Sequence, residues 1–477
     1  MQDTDGGDNL DLEFSTKWSK GNLIKDDGEI GQLSIKGNAI TFHIDGYGDV
    51  FARNFVGCAN THIYKVFTYG QTNADATGYF YRVSKVFLYN GNDYSDFSGD
   101  YISGIKSFSF EVPVLTQWLN IESVKRGVLE DKSIVVHEIP TPIFLLKKVD
   151  PHIYIKFETK DFLANIDNPN EKALKKVPRI FVEFSSPKDD QTVTEIIRII
   201  MRFFSLLIGK ISTVEDIRID LEGKHMKMWL FLNCDFSVHK SWQTYWLRSR
   251  FKAENVCEHL QKWFEQWYSF SSDKSFTLLQ DAYFQIYNKK TYNIEDIFLT
   301  FCRFIEGYDL RKSDDEKIAG KLGHDLIPVL SDELFRNALA PYFVKASSKY
   351  KPKYVAQWIS SGFLERVGLD YRIRRIDKAH FSFIAENRDR ICKGIESNQL
   401  YLKLSKTRNY YAHYKADKTG ILELGEIYNA LSYLEVLIIS VLLSEMGIDE
   451  ETRKNAFIQD ELFWYHSTHL RPPEIGS

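Results

Sequence analysis

The hydrophobic pattern of the chain changes its period near residue 245. Before that point, apolar and polar residues alternate in short runs separated by Gly, Asn and Asp, most clearly at 29–35, 39–44, 79–88, 216–221 and 226–233. After it the runs have helical length, beginning with 254–268, 294–307, 332–345 and 381–395. Alternation favours antiparallel strands and the longer runs favour helices. The sequence therefore predicts an α+β multidomain protein, with an antiparallel β-rich domain over 1–245 and an all-α domain over 246–477.

One long apolar helix is predicted inside the β-rich domain. Thr192 and Glu195 have the spacing of a capping box, and the segment from 196 to 208 is apolar on nearly every side. Gly209 supplies a helix stop. A helix that is apolar all round has to be buried. We therefore expect it to pack against an antiparallel sheet or sandwich.

Two further helices are predicted near the end of the chain, over 398–414 and 424–446. A turn containing Asp417, Lys418 and Gly420 joins them, and Gly447 ends the second, so an antiparallel helical hairpin is expected. The most apolar run, 436–443, is far shorter than the roughly 20 residues that span a bilayer. We interpret it as part of a core helix and expect no membrane contact.

Composition argues against several classes of protein. The chain is 44% hydrophobic and 26% charged, with a formal net charge of -4 and a pI near 6.3. This is a globular composition without the general positive charge of a protein that coats nucleic acid. The chain begins with acidic and polar residues, unlike a secretory signal. Its cysteines are odd in number and far apart, which disfavours disulfides and a cysteine zinc site: Cys58, Cys234, Cys257, Cys302 and Cys392. We therefore expect a cytoplasmic protein.

An arginine and a histidine five positions apart occur twice, as Arg408 with His413 and as Arg375 with His380. With 21 Arg and 12 His in 477 residues, chance alone gives about half a pair at this spacing (21 × 12 / 477). The spacing itself therefore carries little weight. Context favours the later pair, because Asn409 and His413 are four residues apart and share a helix face. A helix C-terminus favours positive charge, and the pattern places His413 near such an end and His380 at a helix start.

The segment around both pairs is basic and contains many tyrosines. From 370 to 418 there are 12 Lys or Arg against 6 Asp or Glu. The tyrosines among them include Tyr371, Tyr410, Tyr411 and Tyr414. Cations beside flat rings suit single-stranded RNA, which offers phosphates and unstacked bases. A solvated helix surface or a protein interface has a similar composition, so the sequence leaves these alternatives open.

The later pair carries a resemblance to a known superfamily. Arg408-Asn409-x-x-Ala412-His413, on the penultimate helix of a helical C-terminal domain, resembles the R-x4-6-H signature of the HEPN superfamily. Arg375 is followed by Ile376, so the earlier pair lacks the polar residue that many HEPN ribonucleases carry there. The β-rich half is similar to that of ApeA-like anti-phage proteins, in its G-x-L-x-I strand at 31–35 and the FFSLLIG end of its helix at 203–209.

The resemblance implies a C-terminal HEPN helical bundle that cleaves RNA without a metal or another cofactor. The expected activity is that of an endoribonuclease in abortive-infection defence, cutting tRNA or other single-stranded loops and leaving a 2′,3′-cyclic phosphate. One motif supplies one His, whereas this cleavage needs both an acid and a base. A site at the interface of a homodimer is therefore expected, and a higher oligomer is compatible with it. The β-rich domain would sense an unidentified phage trigger or restrain the nuclease.

The resemblance also implies roles for individual residues of the motif. His413 is expected to act as acid or base, Arg408 to contact the scissile phosphate, and Asn409 to orient the His or the phosphate. Glu306 is a candidate for the acidic partner that some HEPN enzymes keep beside this Arg. An ordinary surface carboxylate is the simpler interpretation of Glu306.

Candidate RNA contacts flank the motif. Tyr410 and Tyr411 either stack on RNA or lie in the core, and the sequence gives both interpretations equal weight. Lys406 and Lys415 are the candidate phosphate contacts. Some HEPN proteins are silenced by nucleotide transfer to the Tyr of an H-x-Y pattern. Tyr414 follows His413 directly, which departs from that pattern.

Other functions are weaker alternatives. A non-catalytic HEPN protein would bind RNA or a protein partner without cutting it. The β-rich half would be a carbohydrate or ligand module if its aromatic residues lined a groove, although core packing is the simpler interpretation: Tyr79, Phe80, Tyr81 and Trp118. His466 and His469 have a spacing that suits a metal on a helix, but two ligands without a carboxylate are weak support.

Overall fold

The structure is a computed structural model of the 477-residue chain. It describes residues 12–20, 27–36, 39–45, 54–59, 62–74, 78–90, 102–119, 141–147, 150–163, 172–209, 214–222, 227–232, 249–286, 293–343, 351–380, 392, 395, 399–413 and 418–459. The chain divides into two compact units, Met1–Tyr268 and Ser269–Ser477. The predicted domain boundary near residue 245 lies outside the described residues, and so does most of the helix predicted at 381–395.

The first unit contains one antiparallel sheet. Its described strands are β1 (Leu12–Lys20), β2 (Glu29–Lys36), β3 (Ala39–Asp45), β4 (Asn54–Ala59), β5 (His62–Ala74), β6 (Gly78–Asn90), β7 (Ile105–Glu111), β8 (Ile143–Leu146), β9 (His152–Leu163), β10 (Lys172–Lys188), β11 (Glu215–Leu221) and β12 (Lys227–Leu232). The described helices are α1 (Pro113–Trp118), α2 (Asp190–Ile208), α3 (Ala253–Val256) and α4 (Leu260–Ser272), and the division between the units falls inside α4. The prediction of an antiparallel β-rich N-terminal region is confirmed.

The first six strands close into a small barrel. The strand order is β3-β2-β1-β4-β5-β6, and β3 pairs with β6 as well as with β2. Closure removes the free strand edges and gives the apolar side chains a common interior, which contains Trp18, Leu33, Ile35, Phe42, Ile44, Phe55, Val66, Val83 and Val86. The indole of Trp18 donates to the carbonyl oxygen of Gly31 over 3.1 Å. A Cβ at Gly31 would lie 2.4 Å from the carbonyl oxygen of His43, so this close approach requires glycine.

The sheet continues beyond the barrel through β6. The first half of β6 pairs with β3 and its second half pairs with β12, after which the order is β11-β7-β10-β9-β8. Arg179 on β10 is fully buried and joins β7 to β11, because its guanidinium donates to Glu111 over 2.6 Å and to Asp216 over 2.9 Å. A buried arginine is tolerated only when its charge is paired in this way.

The predicted long apolar helix is α2, and its burial is confirmed. The ring of Phe203 packs against Phe264 of α4 with centroids 5.0 Å apart, and Gly209 ends the helix with φ of 79°. The N-terminal cap differs from the predicted one at Thr192. Asp189 is the N-cap residue, since its carboxylate accepts from the backbone N–H of Thr192 over 2.8 Å. A carboxylate at this position also interacts favourably with the positive end of the helix.

The second unit is helical throughout its described residues, as predicted. Its helices are α5 (Lys274–Ile286), α6 (Ile294–Lys312), α7 (Asp315–Ser331), α8 (Glu333–Phe343), α9 (Pro352–Arg366), α10 (Leu369–His380), α11 (Leu400–His413), α12 (Leu424–Glu445) and α13 (Glu450–Gln459). Helix α6 is central, because it packs against α5, α10, α11 and α12. Helices α7 and α9 pack on each other around a small separate core of Leu330, Val355 and Ala356.

Helix α12 is the main core helix of this unit. Its N-terminus has a capping box between Glu423 and Glu426, and Gly447 follows its end with φ of 73°. By length and composition alone, it is the one helix among the described residues that could cross a membrane. Its apolar window is 72% buried inside the protein, which is the situation of a core helix and agrees with the sequence interpretation.

The connection between α11 and α12 folds back onto α11. Just before α12 begins, the backbone N–H of Leu422 donates to the Thr407 hydroxyl of α11 over 2.8 Å. An ion pair of 2.6 Å then joins Lys403 to Glu426 in the first turn of α12. Helix α12 therefore begins beside the first half of α11. The buried Thr407 hydroxyl stabilises this path, since it supplies an acceptor that a buried N–H group needs.

Candidate functional site

Helices α6 and α11 bring Glu306 and Arg408 together. The guanidinium group of Arg408 donates to the Glu306 carboxylate over 2.9 Å and to the amide oxygen of Asn409 over 3.0 Å. Both side chains of the ion pair are 26% exposed. Leu400, Leu404 and Thr407 are buried and anchor α11 in the core. The structure thus places three of the predicted site residues in one hydrogen-bonded group.

The ion pair lies against a buried part of α6. Cys302, one turn before Glu306, is completely buried. Burial raises the pKa of its thiol well above the usual range, the nearby charge of Glu306 raises it further, and Arg408 and Arg303 oppose the shift. Charges beside buried apolar groups are screened less than charges in water. The bond to Glu306 therefore holds the Arg408 side chain in a defined orientation.

His413 lies on the exposed side of α11. Leu402, Lys406, Asn409 and His413 follow one another at steps of four, three and four residues, so they form one stripe along the helix. Asn409 is half-buried, while Lys406 and His413 are exposed. The imidazole is therefore accessible to a ligand at the end of this stripe. Tyr414 and Lys415 lie outside the described residues.

Tyr410 and Tyr411 are both half-buried. Their rings contact each other edge to face, with centroids 5.1 Å apart and an angle of 79° between the planes. The Lys418 ammonium is 5.9 Å from the centroid of Tyr410. Burial raises the pKa of Tyr411, and the charges of Glu295 and Tyr410 add to the effect. Each tyrosine therefore has one part in the protein and another open to solvent, and their role in RNA stacking stays a prediction.

The earlier pair, Arg375 and His380, is engaged in the framework of the bundle. The guanidinium group of Arg375 donates to Asp309 over 2.7 Å and to Asp315 over 2.7 Å. Asp309 is buried and also accepts from Arg372 over 2.9 Å. These bonds raise the pKa of Arg375. The guanidinium of Arg375 is therefore committed to holding α10 against α6 and the start of α7.

His380 also differs from the expectation. It is the last residue of α10 and does not begin a helix. Its position relative to a helix end therefore does not distinguish it from His413, which ends α11. Its ring packs edge to face on Tyr308, and its Nδ1 is buried with no hydrogen-bond partner in the described part of the chain. Burial lowers the pKa of His380 to about 4, with a further contribution from the charge of Arg453. Such a ring stays neutral at pH 7.

Several other predicted features were also located. Tyr81 and Trp118, proposed for a ligand groove, are buried, and the Trp118 indole donates to the carbonyl oxygen of Phe251 over 2.6 Å. Phe80 is 37% exposed and packs on His43. His466 and His469 lie outside the described residues. Within the described ranges, no group of three or more His, Cys, Asp or Glu is arranged to hold a metal ion.

Sequence reasoning missed Arg303 and Asp309. Arg303 is exposed on α6 one turn before Glu306, close enough to affect the Cys302 thiol. Asp309 is one turn after Glu306 and holds the two arginines of α10. Asp309 follows Glu306 at a spacing of three residues, among the buried aromatic and aliphatic residues of α6, and this signal could have identified it as a second partner of the basic segment.

The comparisons with known proteins agree with this architecture. Residues 299–452, which contain Glu306, Arg408 and His413, match the family described as Apea-like HEPN. The second unit therefore contains a HEPN domain. Residues 54–267 match the family described as ApeA N-terminal domain 1. The two matches confirm the resemblance to ApeA-like HEPN proteins in both parts of the chain. No curated protein and no solved structure gave a significant match.

The two arginines should differ in their effect on stability. Arg375→Ala removes a partner of two buried carboxylates, and breaking such a network typically costs about 3 kcal/mol. Arg408→Ala removes one half-exposed pair and should cost about 1 kcal/mol or less. Thermal unfolding of the purified variants measures this difference. We expect Tm to fall further for Arg375→Ala than for Arg408→Ala. An equal loss for the two variants would contradict the structural role of Arg375.

His380 should make the protein sensitive to acid. Its pKa is about 4 in the folded protein and about 6.5 in an unfolded chain. The unfolded state therefore takes up a proton first, and stability should fall as the pH drops from about 6.5 to about 4, by up to about 3 kcal/mol. Denaturant unfolding at a series of pH values measures this loss. His380→Gln should show a smaller loss over the same window, and an unchanged pH profile would contradict the assignment.

Proposed function

We propose that this protein is a metal-independent endoribonuclease of the HEPN superfamily. The single observation that carries the proposal is the bonded group of Glu306, Arg408 and Asn409 beside the exposed His413. An oriented guanidinium suits a phosphate, and an accessible imidazole suits proton transfer. The matched HEPN domain supports the same chemistry.

The cleavage proceeds by internal transfer within the RNA. One His413 takes the proton of a ribose 2′-OH while the 2′-oxygen attacks the neighbouring phosphorus. A second His413 donates a proton to the 5′-oxygen as the P–O5′ bond breaks, which leaves a 2′,3′-cyclic phosphate and a free 5′-OH. Arg408 stabilises the charge that develops on the phosphoryl oxygens. The guanidinium has five N–H donors, and the bonds to Glu306 and Asn409 use two of them.

The two histidines come from two copies of the chain. Each chain contributes one motif, and a two-fold axis places the same surface of both chains against itself. His413 lies on the exposed stripe at the end of α11, where a partner can approach it. A homodimer through the HEPN domain therefore completes the acid and base pair, with Asn409 positioned to orient the imidazole four residues away.

The biological role proposed for this ribonuclease is anti-phage defence in the cytoplasm. The family matches support this role, because both parts of the chain match ApeA families. Cleavage of tRNA or of other single-stranded RNA loops would stop translation in an infected cell. The proposed task of the N-terminal region is to sense an infection signal or to restrain the nuclease. Lys406, Lys415, Tyr410 and Tyr411 are the proposed RNA contacts next to the motif.

Cleavage of RNA in the presence of EDTA tests the proposed activity. Purified wild-type protein is incubated with total RNA and with tRNA, and the cleaved ends are identified by sequencing. Removal of an acid or base typically costs about 10²- to 10⁴-fold in rate. We expect losses of that size for His413→Ala and Arg408→Ala, and cyclic phosphate ends from the wild-type protein.

Two matched controls separate the site from general effects. His324→Ala removes an exposed histidine of α7, and Arg336→Ala removes an exposed arginine of α8; both should cut like the wild type. If His413→Ala and Arg408→Ala also cut like the wild type, the site assignment is wrong. If the wild-type protein binds RNA and leaves it intact, the chain is a non-catalytic RNA-binding protein.

A further inference from the structure

A second basic surface lies beside the motif, on α10 and the first half of α11. On α10, Tyr371, Arg374 and Lys378 are spaced three and four residues apart and are all exposed, so they form one stripe. On α11, Tyr401 lies next to this stripe, because the Arg374 guanidinium is 4.9 Å from the centroid of its ring. Lys406 is exposed on the neighbouring stripe of α11 that carries Asn409 and His413. We call Tyr371, Arg374, Lys378 and Tyr401 the α10–α11 strip.

The charges of the strip are not neutralised in the way that other charges of α10 are. Arg372 and Arg375 point their charge at Asp309 and Asp315 in the core. Arg374 and Lys378 form no ion pair within the part of the chain that the structure describes. Among the described residues, α10 therefore has paired arginines on its inner side and cations without an ion-pair partner on its outer side. Unpaired cations on one face attract a polyanion.

Flat groups accompany these cations. Tyr371 is 53% exposed, and the Arg375 guanidinium lies 5.3 Å from the centroid of its ring, which steadies the ring from the side of the bundle. The hydroxyl of Tyr401 donates to the buried carboxylate of Asp377, so this ring is also held in place. Fixed rings and guanidinium planes beside phosphate-binding cations bind unstacked bases, whereas a duplex keeps its bases stacked.

We infer that the α10–α11 strip binds the single-stranded RNA substrate next to the scissile phosphate and guides it towards Arg408 and His413. This inference rests on the proposed function, because it assigns a path for the RNA of that reaction. Tyr401 of the strip and Arg408 of the motif are seven residues apart on α11, so they share a helix face and are about 10 Å apart along its axis. The strip therefore contacts nucleotides that flank the bond being cut. It sets affinity and the preference for single strands, and it takes no part in the chemical step.

Binding of a short fluorescein-labelled single-stranded RNA of mixed sequence tests the inference. The full-length protein with His413→Ala serves as the background, so that the RNA stays intact. Arg374→Ala with Lys378→Ala should weaken binding and lower the slope of log affinity against log salt by about 1.4, since each lost phosphate contact removes about 0.7. Tyr371→Ala should weaken binding about fivefold or more with little change in that slope.

The matched control is Lys321→Ala with Lys353→Ala, which removes two exposed lysines of α7 and α9. It should bind RNA like the background protein. In chains that keep His413, the Arg374→Ala and Lys378→Ala double variant should raise KM for RNA cleavage and leave kcat unchanged.

The possible outcomes distinguish a failure of the α10–α11 strip as an RNA-binding surface from a failure of the proposed ribonuclease activity. If the strip variants bind RNA as tightly as the control, the inference is wrong, whether or not the wild type cuts RNA. If wild-type protein leaves RNA intact while the strip variants still lose binding and salt dependence, the strip is correct and the ribonuclease assignment fails. If the double variant instead changes the oligomer mass in size-exclusion chromatography, the surface is a protein contact and the inference is overturned.

Discussion

Two carboxylates one turn apart on α6 hold the functional half of the helical bundle together. Glu306 binds Arg408 of α11, and Asp309 binds Arg372 and Arg375 of α10. The segment that contains α10 and α11 has 12 basic and 6 acidic residues between 370 and 418, so its helices repel each other unless some charges are paired. A buried carboxylate such as Asp309 is in turn stable only with its cations in place. Pairing on the inner side leaves the outer cations available.

The sequence predicted the local features of this fold well and its long-range contacts poorly. Most predicted bounds agreed closely, for example 29–35 against Glu29–Lys36 and 424–446 against Leu424–Glu445. The single helix predicted at 254–268 is instead divided into α3 and α4 by a 3-10 turn at Cys257–His259. Periodicity reports which residues are buried over a few turns. It does not report partners, so the pairing of β3 with β6 that closes the barrel was not predicted. The bond between Glu306 and Arg408 spans 102 residues, and only the HEPN resemblance indicated it.

The two Arg and His pairs show what spacing cannot decide. In both pairs the histidine is the last residue of a helix and the arginine lies five residues before it. Their surroundings differ, because Arg375 is held by two carboxylates and His380 is mostly buried, whereas His413 is exposed. The resemblance selected the later pair from the residue after Arg, and the geometry supports that choice on independent grounds. Arg375 and His380 are both engaged in the bundle, whereas in the later pair Arg408 is held by Glu306 and His413 is exposed.

In the proposed mechanism, Arg408 and His413 form half of a cleavage site that a second chain completes. The activity of a purified mixed dimer tests this arrangement. Wild-type and His413→Ala chains with different tags are co-expressed, and dimers with one of each are isolated by two affinity steps. We expect such dimers to cut RNA about 10²-fold or more slowly than wild-type dimers, because either the acid or the base is missing. Half of the wild-type activity would contradict the shared site, since each chain would then carry a complete site.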